Sequence, residues 1–181
     1  MNRPIIILNG PPNCGKDTLA DALSDVAVKV EFKHALYKET AKYCKVDLSH
    51  FTNLATNRST KEKYIHMLGC TPRGALIHVS ENIIKPQYGK QFFGKALART
   101  ISQRPWASAF VVSDGGFDEE IEPLHDVGKV LIVRVLRDGC SFEGDSRKYL
   151  DNPICVLDNN GTVEEAVHIL KGILNVYAAC K

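Results

Sequence analysis

The stretch PIIILNGPPNCGKDT, residues 4 to 18, decides the fold of this chain. An uninterrupted apolar run from Ile5 to Leu8 is typical of a parallel strand that is covered on both faces. The pattern Gly-x-x-x-x-Gly-Lys follows at residues 10 to 16. Helical spacing comes next, at Leu19, Ala22, Leu23 and Val26. A strand, a glycine-rich turn with a lysine, and a helix in this order predict a phosphate-binding loop.

The residue types of this loop have separate physical roles. Gly10 and Gly15 allow the backbone torsions that turn N–H groups toward an anion at a helix N-terminus. Lys16 supplies a positive charge to the β- and γ-phosphates, whereas a plain turn has no need of a lysine. We therefore expect ATP to bind through Gly10, Asn13, Cys14, Gly15, Lys16, Asp17 and Thr18.

Asp17 departs from the usual loop sequence, because a Ser or Thr normally stands there and binds Mg²⁺ through its hydroxyl. Mg²⁺ prefers hard oxygen ligands and usually keeps several waters, so a carboxylate can replace the hydroxyl directly or through water. Our hypothesis is that Asp17 and the neighbouring Thr18 bind the metal. The alternative is that Asp17 only favours the helix N-terminus through the helix dipole.

Three further apolar runs follow, at residues 109–113, 129–135 and, more weakly, 153–157. Helical patterns lie between them, and the last helix, from Val163, is preceded by a capping-box pattern of Thr162 and Glu165. The segment 33–104 is predicted to be mostly helical, with a loop near 53–61 and a turn at 69–74. This alternation predicts one α/β domain of residues 1–181, with a mostly parallel sheet covered by helices on both faces.

Composition and charge limit the classes of function. The 181 residues are 44% hydrophobic and 24% charged, which is typical of a soluble domain. Lys and Arg number 23 against 21 Asp and Glu, so a net charge of +2 creates no field that attracts nucleic acid or membrane. Without a membrane-length apolar run or a signal-peptide layout, we expect a cytoplasmic protein. Six cysteines at no metal-binding spacing are expected to be free thiols.

Polar residues follow the predicted strands, at the edge where ligands of such sheets bind. Asp114 directly follows the apolar run 109–113 and is a candidate for holding Mg²⁺ or positioning a substrate. The polar, glycine-containing segment 138–150 predicts a short lid that closes over phosphates. Charge on a transferred phosphoryl group must be neutralised from several sides, and the candidate cations are Arg73, Lys95, Arg99, Arg137 and Arg147.

The loop Gly15-Lys16-Asp17-Thr18, followed by Ala20-Asp21, resembles that of the bacteriophage deoxynucleoside monophosphate kinases, a branch of the P-loop nucleoside monophosphate kinase superfamily. Residues 68–73, 114–120 and 157–162 are similar to family segments in order and position. In this resemblance Arg73 would meet the monophosphate, and the turn with Asn160 would lie along the donor adenine. Gly116 departs from the family, which often has Arg there, and Lys95, Arg99 or a lid residue could replace that cation.

The resemblance implies a P-loop kinase fold and transfer of the γ-phosphoryl group of ATP, with Mg²⁺, to a deoxynucleoside monophosphate. Such an acceptor oxygen is already ionised, so positioning and charge neutralisation suffice without a strong general base. The implied catalytic residues are Lys16, Asp114, Arg137 and Arg147, the metal ligands are Asp17, Thr18 and Asp114, and the substrate-binding residues are Arg73, Lys95 and Arg99.

Two alternatives stay open at this point. A Gly-Lys-Asp loop is also seen in phosphomevalonate kinases, so the acceptor could be another phosphorylated small molecule. The chain could also be a nucleotide-binding regulator that does not catalyse transfer. The sequence leaves open which base and sugar are accepted and whether the chain forms a homodimer. Small-molecule nucleotides are the expected partners, and the location would be the host cytosol if the chain is of phage origin.

Overall fold

The computed structural model describes residues 3–145 and 147–179. The chain divides into two compact units, one of Met1–Phe32 and Gly94–Lys181 and one of Lys33–Phe93. Ser146 of the predicted lid lies outside the described residues, as do positions 1, 2, 180 and 181 of the predicted domain, Cys180 among them.

The first unit is built on a five-stranded sheet, whose order is β2-β3-β1-β4-β5. Every neighbouring pair of strands is parallel, and Ile6 at the centre pairs with Val111 on one side and Leu131 on the other. Ile5 to Leu8 are fully buried, as the continuous apolar run predicts. The strands are β1 (Pro4–Asn9), β2 (Val28–Val30), β3 (Phe110–Val112), β4 (Lys129–Leu136) and β5 (Cys155–Asp158).

Most of the described residues outside the sheet are helical or lie in the connecting loops. The described α-helices are α1 (Lys16–Ala22), α2 (Lys33–Cys44), α3 (Leu48–Thr56), α4 (Pro72–His78), α5 (Lys85–Tyr88), α6 (Phe92–Ser102), α7 (Asp118–Ile121) and α8 (Val163–Ala179). A π-helical segment, Val79–Ile84, joins α4 to α5, and a 3₁₀ turn, Glu122–Asp126, follows α7. In the second unit Phe51 of α3 is fully buried in a cluster with Ala41, Ala55 and Ala75.

The core of the first unit explains why α1 and α8 lie on the sheet. Leu19 of α1 and Leu170 of α8 are fully buried in one cluster with Ile6 and Leu8 of β1. The capping box predicted for α8 is confirmed, because the Thr162 N–H donates to Glu165 Oε2 at 3.0 Å and the Glu165 N–H donates to Thr162 Oγ1 at 3.2 Å. The predicted α/β fold, with a parallel sheet between helical layers, is confirmed.

Some predicted boundaries differ from the structure. The pattern analysis missed β2, which has three residues and carries the partly exposed Lys29 at its centre. The turn predicted at 69–74 is wrong beyond Thr71, because Pro72 begins α4. Thr71 caps this helix by accepting a hydrogen bond from the Gly74 N–H at 2.9 Å. No helix in the described part of the chain is both long and apolar enough to cross a membrane.

Candidate phosphate-binding site

The sheet order places the loop after β1 at the position where parallel α/β sheets bind ligands. Along the chain, β1 is followed by β2 on one side of it, and the chain later crosses from β3 to β4 on the other side. The loops at the carboxyl ends of β1 and β3 therefore flank a topological switch point. Asn9, Ser113 and the start of the phosphate loop all lie at this edge of the sheet.

The loop between β1 and α1 has the backbone of an anion-binding site. Asn13 and Gly15 have positive φ angles of 65° and 96°, and Gly15 is the N-cap residue of α1 without a side-chain cap. The first N–H groups of the helix are thus left for a ligand. A Cβ atom on Gly10 would lie 2.5 Å from the Val135 carbonyl oxygen, so only glycine fits this turn of the loop.

Lys16 is held inside the loop by the loop itself. Its side chain is buried, and Nζ donates to the carbonyl oxygens of Gly10 at 2.7 Å and Pro11 at 2.6 Å. Burial lowers the pKa of Lys16 from its ordinary value, and the positive charge of Arg147 acts in the same direction against Cys14 and Asp17. Nζ also donates to Cys14 Sγ at 3.6 Å. An ammonium group held by carbonyl oxygens and a thiol is well placed to exchange them for a phosphate.

Asp17, the unusual residue of the loop, belongs to a polar group that we call the Lys29 cluster: Lys29, Asp17, Asp21, Glu31 and Ser113. Asp17 Oδ1 accepts a hydrogen bond from Ser113 Oγ at 2.7 Å and lies 3.1 Å from Lys29 Nζ. Lys29 also pairs with Asp21 at 2.8 Å and Glu31 at 3.7 Å. Burial lowers the pKa of Lys29, but these carboxylates outweigh burial and raise it overall.

The donor atoms at Asp17 fit a hydrated Mg²⁺ ion. The carboxylate of Asp17 and the hydroxyl of Ser113 are the hard oxygen donors that this metal prefers. The Asp17 side chain is 63% exposed, which leaves room for an ion that keeps part of its water shell. Within residues 3–145 and 147–179, no group of three or more His, Cys, Asp or Glu side chains is arranged to hold a metal. A metal here would therefore take most of its ligands from phosphate and water, with Thr18 exposed in the adjacent position.

Ser113, which the sequence analysis missed as a site residue, contacts Asp17, whereas Asp114 takes a different direction. Successive residues at the end of a strand point to opposite faces of the sheet. The carboxylate of Asp114 accepts a hydrogen bond from the Phe32 N–H at 3.0 Å and raises the pKa of Arg147. In the sequence, the signal that points to Ser113 is a hydroxyl residue at the end of an apolar run. In the structure its side chain is buried.

Two arginines lie against the phosphate loop. Arg137 is exposed after β4, and its Nη1 lies 3.6 Å from the position that a Cβ atom on Gly15 would occupy. Arg147 forms a bidentate ion pair with Asp145, with Nε to Oδ1 at 2.9 Å and Nη2 to Oδ2 at 2.6 Å, and these hydrogen bonds raise its pKa. Arg137 thus lies beside Gly15 of the loop, and the charge of Arg147 acts on Lys16.

Asn9 ties the phosphate loop to the segments on both sides of it. Its side chain is fully buried, and Nδ2 donates to the carbonyl oxygens of Gly115 at 3.3 Å and Lys148 at 3.1 Å. Its Oδ1 accepts from the Leu150 N–H at 2.8 Å. The sequence analysis did not single out Asn9, although an amide at the end of a buried apolar strand is a signal in itself.

Two neighbouring asparagines after β5 have different partners. Asn159 is buried, and its Nδ2 donates to the carbonyl oxygen of Cys14 in the phosphate loop at 2.7 Å. Asn160, the residue predicted to bind the nucleotide, is exposed, and its Oδ1 accepts from the Asp138 N–H at 2.9 Å. The described structure therefore connects Asn159 to the phosphate loop and Asn160 to the beginning of the predicted lid.

The remaining predicted cations belong to two other helices, α6 and α4. Lys95 and Arg99 are exposed one turn apart on the same face of α6. Arg73 lies in the second unit near the beginning of α4, where its Nε donates to Glu62 Oε1 at 2.6 Å. The position of Gly116, where the resemblance expects an arginine, is covered by the side-chain stem of Arg147.

Comparisons with known proteins bear on the fold of this chain. No protein-family model matches it, and no curated protein sequence does. Among solved structures, it is similar to an unliganded sugar kinase from Janibacter sp. HTCC2649, with a TM-score of 0.54, 12% identity, and coverage of 99% of this chain and 98% of that chain. It is also similar to the APS kinase CysC of Mycobacterium tuberculosis in complex with AMPPNP and APS, with a TM-score of 0.50, 10% identity, and coverage of 96% and 98%. The chain therefore has the α/β fold of P-loop kinases.

Proposed function

We propose that this protein is an ATP-dependent kinase that transfers the γ-phosphoryl group to a deoxynucleoside monophosphate. The observation that carries the proposal is the placement of Lys16 and Arg137 at the loop between β1 and α1, with Arg147 close enough for its charge to act on Lys16. Three cations around backbone N–H groups suit a polyphosphate, whose charge must be neutralised from several sides. The likeness in fold to kinases supports phosphoryl transfer, and the Gly-Lys-Asp-Thr loop at residues 15–18 supports a nucleotide acceptor.

The residues at the loop divide the work in this proposal. Lys16 leaves the Gly10 and Pro11 carbonyls and contacts the β- and γ-phosphates. Asp17, oriented by the Ser113 hydroxyl, holds Mg²⁺ directly or through water, with Thr18 as a second oxygen donor. When bound, Mg²⁺ supplies charge neutralisation between the phosphates.

The arginines and the acceptor residues complete the proposed site. Arg137 and Arg147 stabilise the charge of the transferring group, and Asp114 acts at the metal or the acceptor. Arg73, Lys95 and Arg99 are assigned to the acceptor phosphate, and the segment 138–150 to a lid that excludes water. Because the acceptor phosphate is already ionised, catalysis consists of positioning and charge neutralisation.

The experiment that tests this function measures ADP production from Mg-ATP with each common deoxynucleoside and ribonucleoside monophosphate offered separately. Phosphomevalonate and APS are added to the panel as other acceptors. Lys16→Ala serves as the blank, and Lys171→Ala is a matched control, because Lys171 lies on α8 and pairs with Asp25. We expect turnover that requires a deoxynucleoside monophosphate and that vanishes only in Lys16→Ala. Turnover with another acceptor alone would replace the substrate assignment, and tight ATP binding without turnover would favour a regulator.

The role of Asp17 has a separate test. We expect Asp17→Ser to shift the Mg²⁺ concentration that gives half-maximal activity. Asp21→Ser is the matched control, because both aspartates pair with Lys29 but only Asp17 stands at the metal position of the loop motif. Unchanged metal dependence in Asp17→Ser would mean that this carboxylate only favours the helix N-terminus.

A further inference from the structure

Gly116 lies directly against the side-chain stem of Arg147. A Cβ atom on Gly116 would lie 2.7 Å from Cγ, 2.8 Å from Cδ and 2.9 Å from Cβ of Arg147. Carbon atoms in contact are normally about 3.5 to 4.0 Å apart. Gly116 does not have a positive φ angle, so its backbone would accept an alanine. Glycine is therefore required here for close approach of Arg147 and not for an unusual torsion.

The preceding residue, Gly115, must be glycine for a different reason. A Cβ atom on Gly115 would lie 2.5 Å from Cγ2 of Ile7, a fully buried side chain of the central strand. Gly115 thus serves the packing of the core. Gly116 instead makes room for a cation that keeps 28% of its side chain exposed. Adjacent glycines in this turn consequently meet two different needs.

The far end of Arg147 is fixed by a second contact. Asp145 engages Nε and Nη2 of the guanidinium group and also accepts from the Arg147 backbone N–H at 2.9 Å. This bidentate geometry orients the guanidinium plane, and Nη1 takes no part in the ion pair with Asp145. Asn9, which directly precedes the phosphate loop, donates to the carbonyl oxygens of Gly115 at 3.3 Å and Lys148 at 3.1 Å, so the residues next to Gly116 and Arg147 are both tied to the start of that loop.

We propose that Gly116 is a positioning residue, whose missing side chain forms the seat on which Arg147 lies, so that the guanidinium group contacts the phosphates of bound ATP. The identity of the ligand rests on the proposed function. The seat adds to that function a residue, Gly116, that acts by having no side chain. A side chain at position 116 and Arg147 in its present position exclude each other. The phosphate-binding arginine is thus specified by two segments that are distant in the sequence.

A double-mutant cycle tests this seat. Titration calorimetry measures the binding of ATP and of sodium tripolyphosphate to the wild type, Gly116→Ala, Arg147→Ala and the double variant. Gly172→Ala is the matched control, because a Cβ atom on Gly172 of α8 meets no atom within 4 Å. Loss of a hydrogen bond to a charged group weakens binding by about 10- to 100-fold, and we expect this from each single variant. The double variant should bind no more weakly than Arg147→Ala, and the control should bind like the wild type.

Several outcomes would overturn the proposal. Wild-type affinity in Gly116→Ala is one, and full additivity of the two single effects is another, because Gly116 would then act without Arg147. If Gly116→Ala unfolds, Arg147→Ala should restore folding in the double variant by removing two of the three obstructing atoms, and failure to restore it counts against the seat. Tripolyphosphate binding without turnover of any acceptor in the panel would contradict the kinase function and leave the seat standing. A wild type that binds neither ATP nor tripolyphosphate would overturn both.

Discussion

Replacing Asn9 by alanine measures how strongly the phosphate loop is tied to its neighbours. The fully buried amide makes three hydrogen bonds, to Gly115 at 3.3 Å, to Lys148 at 3.1 Å and from Leu150 at 2.8 Å. Each contributes about 1 kcal/mol net, and a buried partner left without a hydrogen bond costs about 1 to 3 kcal/mol. Because Gly115 and Leu150 are buried, we expect the free energy of unfolding to fall by about 3 kcal/mol.

Urea denaturation followed by circular dichroism measures this loss, and thermal unfolding should shift down by about 6 to 12 °C for a chain of this size. Asn53→Ala is the matched control, because Asn53 is exposed on α3, and its free energy of unfolding should change by less than about 0.5 kcal/mol. Asn9→Asp adds a second test. A carboxylate can only accept hydrogen bonds, so it would face the carbonyl oxygens of Gly115 and Lys148 without a donor.

The loss in Asn9→Asp, relative to the wild type at the same pH, should therefore be larger at pH 7 than at acidic pH, where the carboxyl group regains a proton to donate. A decrease in the free energy of unfolding of less than about 1 kcal/mol in Asn9→Ala would refute the reasoning, because the loss of three buried hydrogen bonds should destabilise the protein by more than this. Wild-type stability of Asn9→Asp at pH 7 would refute it as well.

Four further predictions concern the first unit. Thr162→Ala should lower the free energy of unfolding by about 1 kcal/mol in urea, and an unchanged value would contradict the capping box. Hydrogen bonds from Thr162 lower the pKa of Glu165 from 4.5, so the advantage of the wild type over Glu165→Gln should be present above that pH and fade as the pH falls through the folded value. Lys29→Met should lower the free energy of unfolding by about 1 kcal/mol at low salt, and Lys29→Arg should lower it less. Variants as stable as the wild type would show that the Lys29 cluster does not stabilise the fold. Iodoacetamide should modify buried Cys14 at least about tenfold more slowly than Cys155, as read by peptide mass spectrometry, and equal rates would contradict the burial that raises the pKa of Cys14.

The parts of the fold that the sequence predicts are those with long, regular patterns. The apolar runs of β1 and β4 are longer than a turn, and the capping box of α8 marks its first residue. The missed strand, β2, is too short to show a period, and Lys29 interrupts it because the ammonium group meets three carboxylates beyond the sheet. Pairing across the sheet, which makes three residues into a strand, is not visible in a local pattern.

The candidate site is predictable where function depends on the chain's own local geometry. The phosphate loop is such a case, since its glycines, lysine and following helix are contiguous. The contacts of Ser113 and Asn159 depend on which of two adjacent residues faces the loop, and a shift of one residue reverses that choice. The absence of an arginine at position 116 is visible in the sequence, but the arrival of Arg147 from a distant segment is not.

The ammonium group of Lys16, bonded to the carbonyl oxygens of Gly10 and Pro11, links ligand binding to the proton content of the solution. Burial has lowered its pKa, so at alkaline pH a fraction of the protein carries the neutral amine. A phosphate that reaches Nζ favours the charged form again, so binding at alkaline pH takes up protons from the buffer in proportion to the fraction of neutral amine. The measured heat of binding should then vary with the ionisation enthalpy of the buffer, which makes a lysine the proton-linked element of this loop.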